Sequence, residues 1–94
     1  MRIVDIIWLP HMIDKLAWKH GVEPEEVDQV LFSNPLYRKV QRSHVSGEYV
    51  YAALGQTNAG RYLVVFFIYK TAREALILSA RDMDQKEKRQ YGRR

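Results

Sequence analysis

The chain has no cysteine, and that absence removes disulfide frameworks, cysteine-based zinc sites and thiol nucleophiles together. It also fits a reducing compartment. Three prolines and five glycines among 94 residues form no linker-like stretch, and neither a repeat nor a low-complexity tract interrupts the chain. The longest apolar run, from Tyr62 to Tyr69, is less than half of a membrane span. Asp5 stands where a secretory leader would carry its apolar stretch. Phosphate-binding glycine loops, dinucleotide-binding turns and zinc-ligand spacings are missing as well. The expectation is one soluble, cytoplasmic domain over residues 1–94, with no membrane partner.

What is present is apolar material for a core and a lopsided distribution of charge. Hydrophobic residues make up 47% of the chain, with two Trp, six Tyr and three Phe, enough to support a domain near the lower size limit for folding alone. The net charge is +4 and the isoelectric point about 9.5. Residues 1–34 hold three basic and six acidic groups, whereas residues 35–94 hold twelve and five. A basic half of that kind suits a polyanionic partner, nucleic acid above all. A few excess charges are also common on small soluble domains.

Periodicity divides the chain in the same place. Residues 1–8 read as a short strand or extended lead-in. Leu9-Pro10 then opens a helix with Pro10 in its first turn, and Ile13, Leu16, Ala17 and His20 fall on one face. Gly21 suits the left-handed cap that ends it. Pro24 and the acids Glu25 and Glu26 start a second helix, whose buried face is Val27, Val30 and Leu31, and Ser33-Asn34-Pro35 stops it. From Leu36 the period changes to two. Leu36–Arg42, Tyr49–Leu54, Arg61–Tyr69 and Ala75–Arg81 read as strands joined by hairpin-length connections, hence an antiparallel sheet of three or four strands. In the last strand Leu76, Leu78 and Ala80 should share one face and Ile77, Ser79 and Arg81 the other. Asp84 and Glu87 have capping-box spacing for a basic C-terminal helix ending at Gly92. The fold class is therefore α+β.

Candidate chemistry is spread over four places. Lys19-His20-Gly21 sits at the helix junction, where His20 is either a general acid or base or a helix-end histidine beside free carbonyls. Arg61 begins one strand and Arg81 ends its neighbour, so both reach one end of the sheet. Together they suit a phosphate clamp, or are two exposed strand-end charges. Glu87 and Tyr91 share a face of the last helix among Lys86, Lys88 and Arg89. Arg38, Lys39, Arg42 and His44 form a basic run that suits a nucleic-acid backbone or an acidic protein. His11, His20 and His44 are scattered, so neither a metal site nor a cofactor is expected.

In order and spacing, Trp8, Lys19-His20-Gly21-Val22, Glu25-Glu26-Val27, Phe32, Pro35 and Leu54-Gly55 resemble the BrnT family. So do Gly60-Arg61-Tyr62-Leu63-Val64-Val65, Leu78-Ser79-Ala80-Arg81, Glu87, Arg89 and Tyr91. This family is the toxin half of type II toxin–antitoxin pairs. The chain departs from the family pattern at Leu9, Leu16 and Val50, where an acid, an asparagine and an arginine are usual. The resemblance implies a RelE-like sheet flanked by helices, metal-independent RNA cleavage, and a cognate antitoxin that blocks the toxin. It implies His20, Arg61, Arg81, Glu87 and Tyr91 as catalytic candidates, with Lys19, Arg38, Arg42, Lys88 and Arg89 toward RNA. Arg61 and Arg81 would be the cations, Glu87 or His20 the base, and Tyr91 or His20 the acid. The alternative is a non-catalytic RNA- or protein-binding module.

Overall fold

The computed structural model describes residues 1–42 and 47–93, so His44 of the basic run lies outside the described residues. The elements run β1 (Asp5–Ile7), α1 (Met12–His20), α2 (Pro24–Leu31), β2 (Leu36–Arg42), β3 (Tyr49–Gln56), β4 (Tyr62–Tyr69), β5 (Glu74–Asp82) and α3 (Gln85–Gly92). Five strands form one sheet in the order β1-β5-β4-β3-β2. Strands β2 to β5 are antiparallel neighbours, but β1 pairs with β5 in parallel. The sheet is therefore mixed and five-stranded, not an antiparallel sheet of three or four strands. Parallel pairing of the first strand with the last leaves no hairpin signal in the sequence, because nearly the whole chain lies between the partners.

Helix α1 begins two residues after Pro10. His11 takes a left-handed conformation with φ 65°, and the Met12 N–H donates to the Leu9 carbonyl, so Pro10 belongs to a turn before the helix. Gly21 caps α1 at φ 63°, a conformation that costs glycine nothing. Only Leu16 of α1 is fully buried, while Ile13 is 40% exposed, so the predicted four-residue face is narrower than expected. In α2 the face Val27, Val30 and Leu31 is buried as its spacing requires.

Both helices cover one face of the sheet. There Leu16, Val22, Val27, Val30 and Leu31 pack against Leu63, Val65, Phe67, Ala75, Ile77 and Ala80. Phe67 lies between Tyr51, stacked at 5.9 Å, and Tyr37, edge-on at 6.1 Å. Helix α2 comes so close to β3 that a Cβ on Gly55 would sit 2.9 Å from Val30 Cγ1, so bare backbone is needed there.

Strand β5 does not alternate evenly. Phe66 pairs with Ser79 and Phe67 with Ile77, leaving Leu78 as the extra residue of a β-bulge. Ala75, Ile77 and Ala80 are all fully buried in the helix-side core. The expected grouping of Ile77 with Arg81 is thus corrected: Ala80 takes the core side and Arg81 the other.

Candidate active site

The second face of the sheet carries a smaller apolar cluster of Ala52, Leu54, Val64 and Met83, with Leu36, Phe66 and Tyr91 packed beside it. Helix α3 crosses part of this face and buries none of its residues completely. Its first turn is fixed by the predicted capping box. The Glu87 N–H donates to Asp84 Oδ1 at 2.8 Å, and the Asp84 N–H donates to Glu87 Oε1 at 2.9 Å. The Glu87 carboxylate is thereby held over the sheet.

The area that α3 leaves uncovered is a cleft of about 290 Å³. Its lining is Ala52, Leu54, Phe66 and Val40 together with Arg38, Lys39, Arg81 and Glu87. Arg38 and Arg81 therefore face one carboxylate over an apolar surface, whereas the Lys39 ammonium is turned to the Tyr49 ring on the helix side of the sheet. Arg81 Nη1 and Nη2 donate to Glu87 Oε1 and Oε2 at 2.7 and 2.9 Å, a two-pronged ion pair. Arg81 Nη1 also donates to the Asp82 carbonyl at 3.0 Å. The Arg81 guanidinium carbon stands 5.3 Å from the centre of the Phe66 ring. The hydrogen bond from Arg81, then the Asp84 N–H and the charge of Arg81, hold the Glu87 carboxyl below the usual glutamate range against the opposing effect of burial. The bond to Glu87 shifts Arg81 the other way, keeping it protonated. Arg38 donates to the Gln90 side-chain carbonyl on α3, so β2 and α3 meet across the cleft.

Arg61 belongs to a different arrangement on the helix side of the sheet. Its Nε donates to Asp82 Oδ1 at 2.8 Å and its Nη2 to Asp82 Oδ2 at 3.2 Å. Nη1 reaches the Gly21 carbonyl at 2.7 Å and Glu26 Oε1 at 3.2 Å, while Nη2 reaches the His20 carbonyl at 3.0 Å. All five N–H donors of the guanidinium thus have protein partners, drawn from the end of α1, the first turn of α2 and the end of β5. Asp82 is correspondingly held below the usual aspartate range, chiefly by its hydrogen bond from Arg61. Arg61 and Arg81 do reach the same end of the sheet but on opposite faces, because Asp82 and Arg81 alternate beyond the bulge.

The remaining candidates are dispersed. His20 is half-buried at the end of α1, with its carbonyl on Arg61, and Lys19 is exposed beside it. Tyr91 is half-buried, edge-on to Tyr62 at 6.1 Å, and Lys88 Nζ lies 5.7 Å from the Tyr62 ring. Arg89 is exposed on α3. Arg42 stands over Tyr49 at 5.7 Å, next to Lys39 Nζ at 4.1 Å from the same ring. Of the ten expected site residues, the cleft therefore gathers Arg38, Arg81 and Glu87. Sequence reasoning missed Phe66, Ala52 and Leu54 as its apolar lining, and Asp82 as the partner of Arg61. Period-two alternation in β3 and β4 places the apolar three on one face, but nothing local shows that this face is left open.

A mixed sheet with its helical core on one face and a cation-rimmed cleft on the other defines a small α+β domain. The family profile described as ribonuclease toxin, BrnT, of type II toxin–antitoxin system matches residues 8–87. The chain belongs to that family. Its structure is similar to the crystal structure of the Brucella abortus ribonuclease toxin BrnT, with a TM-score of 0.61 and 18% sequence identity over 87% of this chain and 99% of that one. At that identity the likeness speaks for the fold. No curated protein matches the chain.

Proposed function

We propose that this ribonuclease toxin cuts RNA in the cleft under α3, with Arg81 as the central cation. The observation that carries this reading is the Arg81–Glu87 pair, 2.7 Å apart, in a cleft that Arg38 also lines. A phosphodiester laid across Arg38 and Arg81 gains the positive charge that a crowded phosphorane requires, so cleavage proceeds with a chelator present. In the reaction the ribose 2′-oxygen attacks the adjacent phosphorus and the P–O5′ bond breaks. The 2′-hydroxyl proton passes to the Glu87 carboxylate, and the departing 5′-oxygen takes a proton from solvent at the open mouth of the cleft. The products are a 2′,3′-cyclic phosphate and a 5′-hydroxyl. On this reading Arg61 organises the helix junction instead of clamping phosphate, and Lys19 and His20 stand outside the reacting centre. Lys88 and Arg89 extend the basic surface along which RNA approaches, with Tyr91 supporting α3, while Arg42 stands over Tyr49 on the other face.

The test is cleavage of an RNA oligonucleotide in chelator by the native protein and by Arg81→Ala. Loss of cleavage in the variant, with its fold retained, is expected; unchanged cleavage refutes the assignment. The family further implies a cognate antitoxin that holds the protein inactive in the cytoplasm. A second reading, RNA binding without cutting, is favoured by one observation: a carboxylate held below its ordinary range is a weaker base. It predicts a shifted RNA band and intact RNA.

A further inference from the structure

A site that recognised phosphate alone would need only cations. This cleft instead sets Arg38 and Arg81 around an apolar lining of Ala52, Leu54 and Phe66. The lining is continuous with buried apolar structure: Ala52 is 5% exposed, Leu54 1% and Val64 beside them 0%. Phe66 keeps part of its ring accessible, since it is half-buried within the same cluster. The Arg81 guanidinium lies over that ring, so a flat cationic group and an aromatic ring stand together at one place. Bases taken out of a helix stack on aromatic rings and on arginine planes, while their phosphates seek nearby cations.

We infer that the cleft takes one unpaired nucleotide of RNA, with its base against Phe66 and Arg81 and its phosphate on the cationic rim. This rests on the placement of RNA in the cleft proposed above. It adds that the protein selects single-stranded RNA, because a paired and stacked base presents no face to Phe66.

The experiment titrates the amide resonances of the full chain with adenosine 5′-monophosphate and separately with ribose 5-phosphate. Stacking worth roughly 1–3 kcal/mol per base corresponds to about 5- to 150-fold in affinity, so the nucleotide should bind at least about fivefold more tightly. Its shifts should fall on β3 and β4 around Ala52 and Phe66. Phe66→Leu keeps an apolar side chain but removes the ring, and should bring the two affinities together. Arg81→Ala should weaken both ligands, and the nucleotide more, because it loses a contact to the base as well as one to the phosphate. Equal affinities in the native protein, or a preference untouched by Phe66→Leu, overturn the inference. Cutting of a duplex as fast as its single strand does the same. If neither ligand perturbs the cleft but Arg81→Ala still abolishes cleavage, the base pocket falls while the active site stands. If cleavage also survives Arg81→Ala, both fall.

Discussion

Replacing Arg61 by alanine removes five N–H donors at once and leaves two carboxylates and two helix-end carbonyls to find other partners. The cost follows from how exposed those partners are. The Asp82 side chain is 64% exposed, so its pairing contributes at most about 1 kcal/mol. Glu26 and Arg61 are 23% and 28% exposed, and a partly buried hydrogen bond to a charged group adds about 1.5 kcal/mol. The His20 and Gly21 carbonyls belong to the end of α1 and can turn to water at little cost. A loss of about 2–3 kcal/mol follows, which for a domain of this size lowers Tm by about 10–20 °C. Thermal melting followed by circular dichroism at neutral pH measures it. Arg61→Lys should recover only part, because an ammonium cannot serve four acceptors spread over three elements. The sign with pH is fixed by Asp82. Its carboxyl is depressed in the fold, so its contribution is present above the ordinary aspartate range and is lost as pH falls through the depressed value. The gap between native and variant should therefore narrow in acid. RNA cleavage by Arg61→Ala, assayed cold enough for the variant to remain folded, should persist. A Tm change below about 3 °C, or loss of cleavage in a folded variant, would refute this account of Arg61.

Glu87→Gln should abolish most RNA cleavage, and the native rate should fall only below the ordinary glutamate range near pH 4.5, as the depressed carboxyl takes up its proton; a pH–rate profile checks both. The same pairing stabilises the native fold above that range and is lost as pH drops through the depressed value, so acid unfolding should be less steep in the variant. Gly55→Ala should cost about 1–3 kcal/mol by forcing a methyl group against the β-branched, fully buried Val30, readable by urea denaturation. Asp84→Ala removes the α3 cap and should cost about 1 kcal/mol. It should also lower cleavage by loosening the turn that holds Glu87, seen as a reduced rate at fixed RNA concentration.

Where local chemistry decided the structure, it could be read directly. Asp84 and Glu87 cap α3, Val27, Val30 and Leu31 are the inner face of α2, and Leu36–Arg42 is a strand. The misses share a different cause. Pairing of β1 with β5 is set by the whole topology, and α1 loses its inner face at Ile13 because two turns of helix cover little sheet. The bulge at Leu78 leaves no mark on a run of apolar residues, although it decides where Arg81 points. Arg61 and Arg81 looked equivalent as strand-end arginines, yet only three-dimensional contacts separate one whose five donors are occupied from one that faces an open cleft.

The extra residue in β5 makes the charge of the cleft a matter of parity. Arg81 and Asp82 are adjacent and opposite in sign, and whether the count between Ile77 and Arg81 is absorbed by the bulge decides which of them faces the cleft. Were the strand drawn straight with its present length, a carboxylate would face the cleft and a guanidinium would press into the helices. Deleting Leu78 would leave ordinary alternation with Arg81 still outward, whereas one further residue in the same interval would exchange the two. Gain of a single residue there, more than substitution of any side chain, is the change by which this cleft would reverse its polarity.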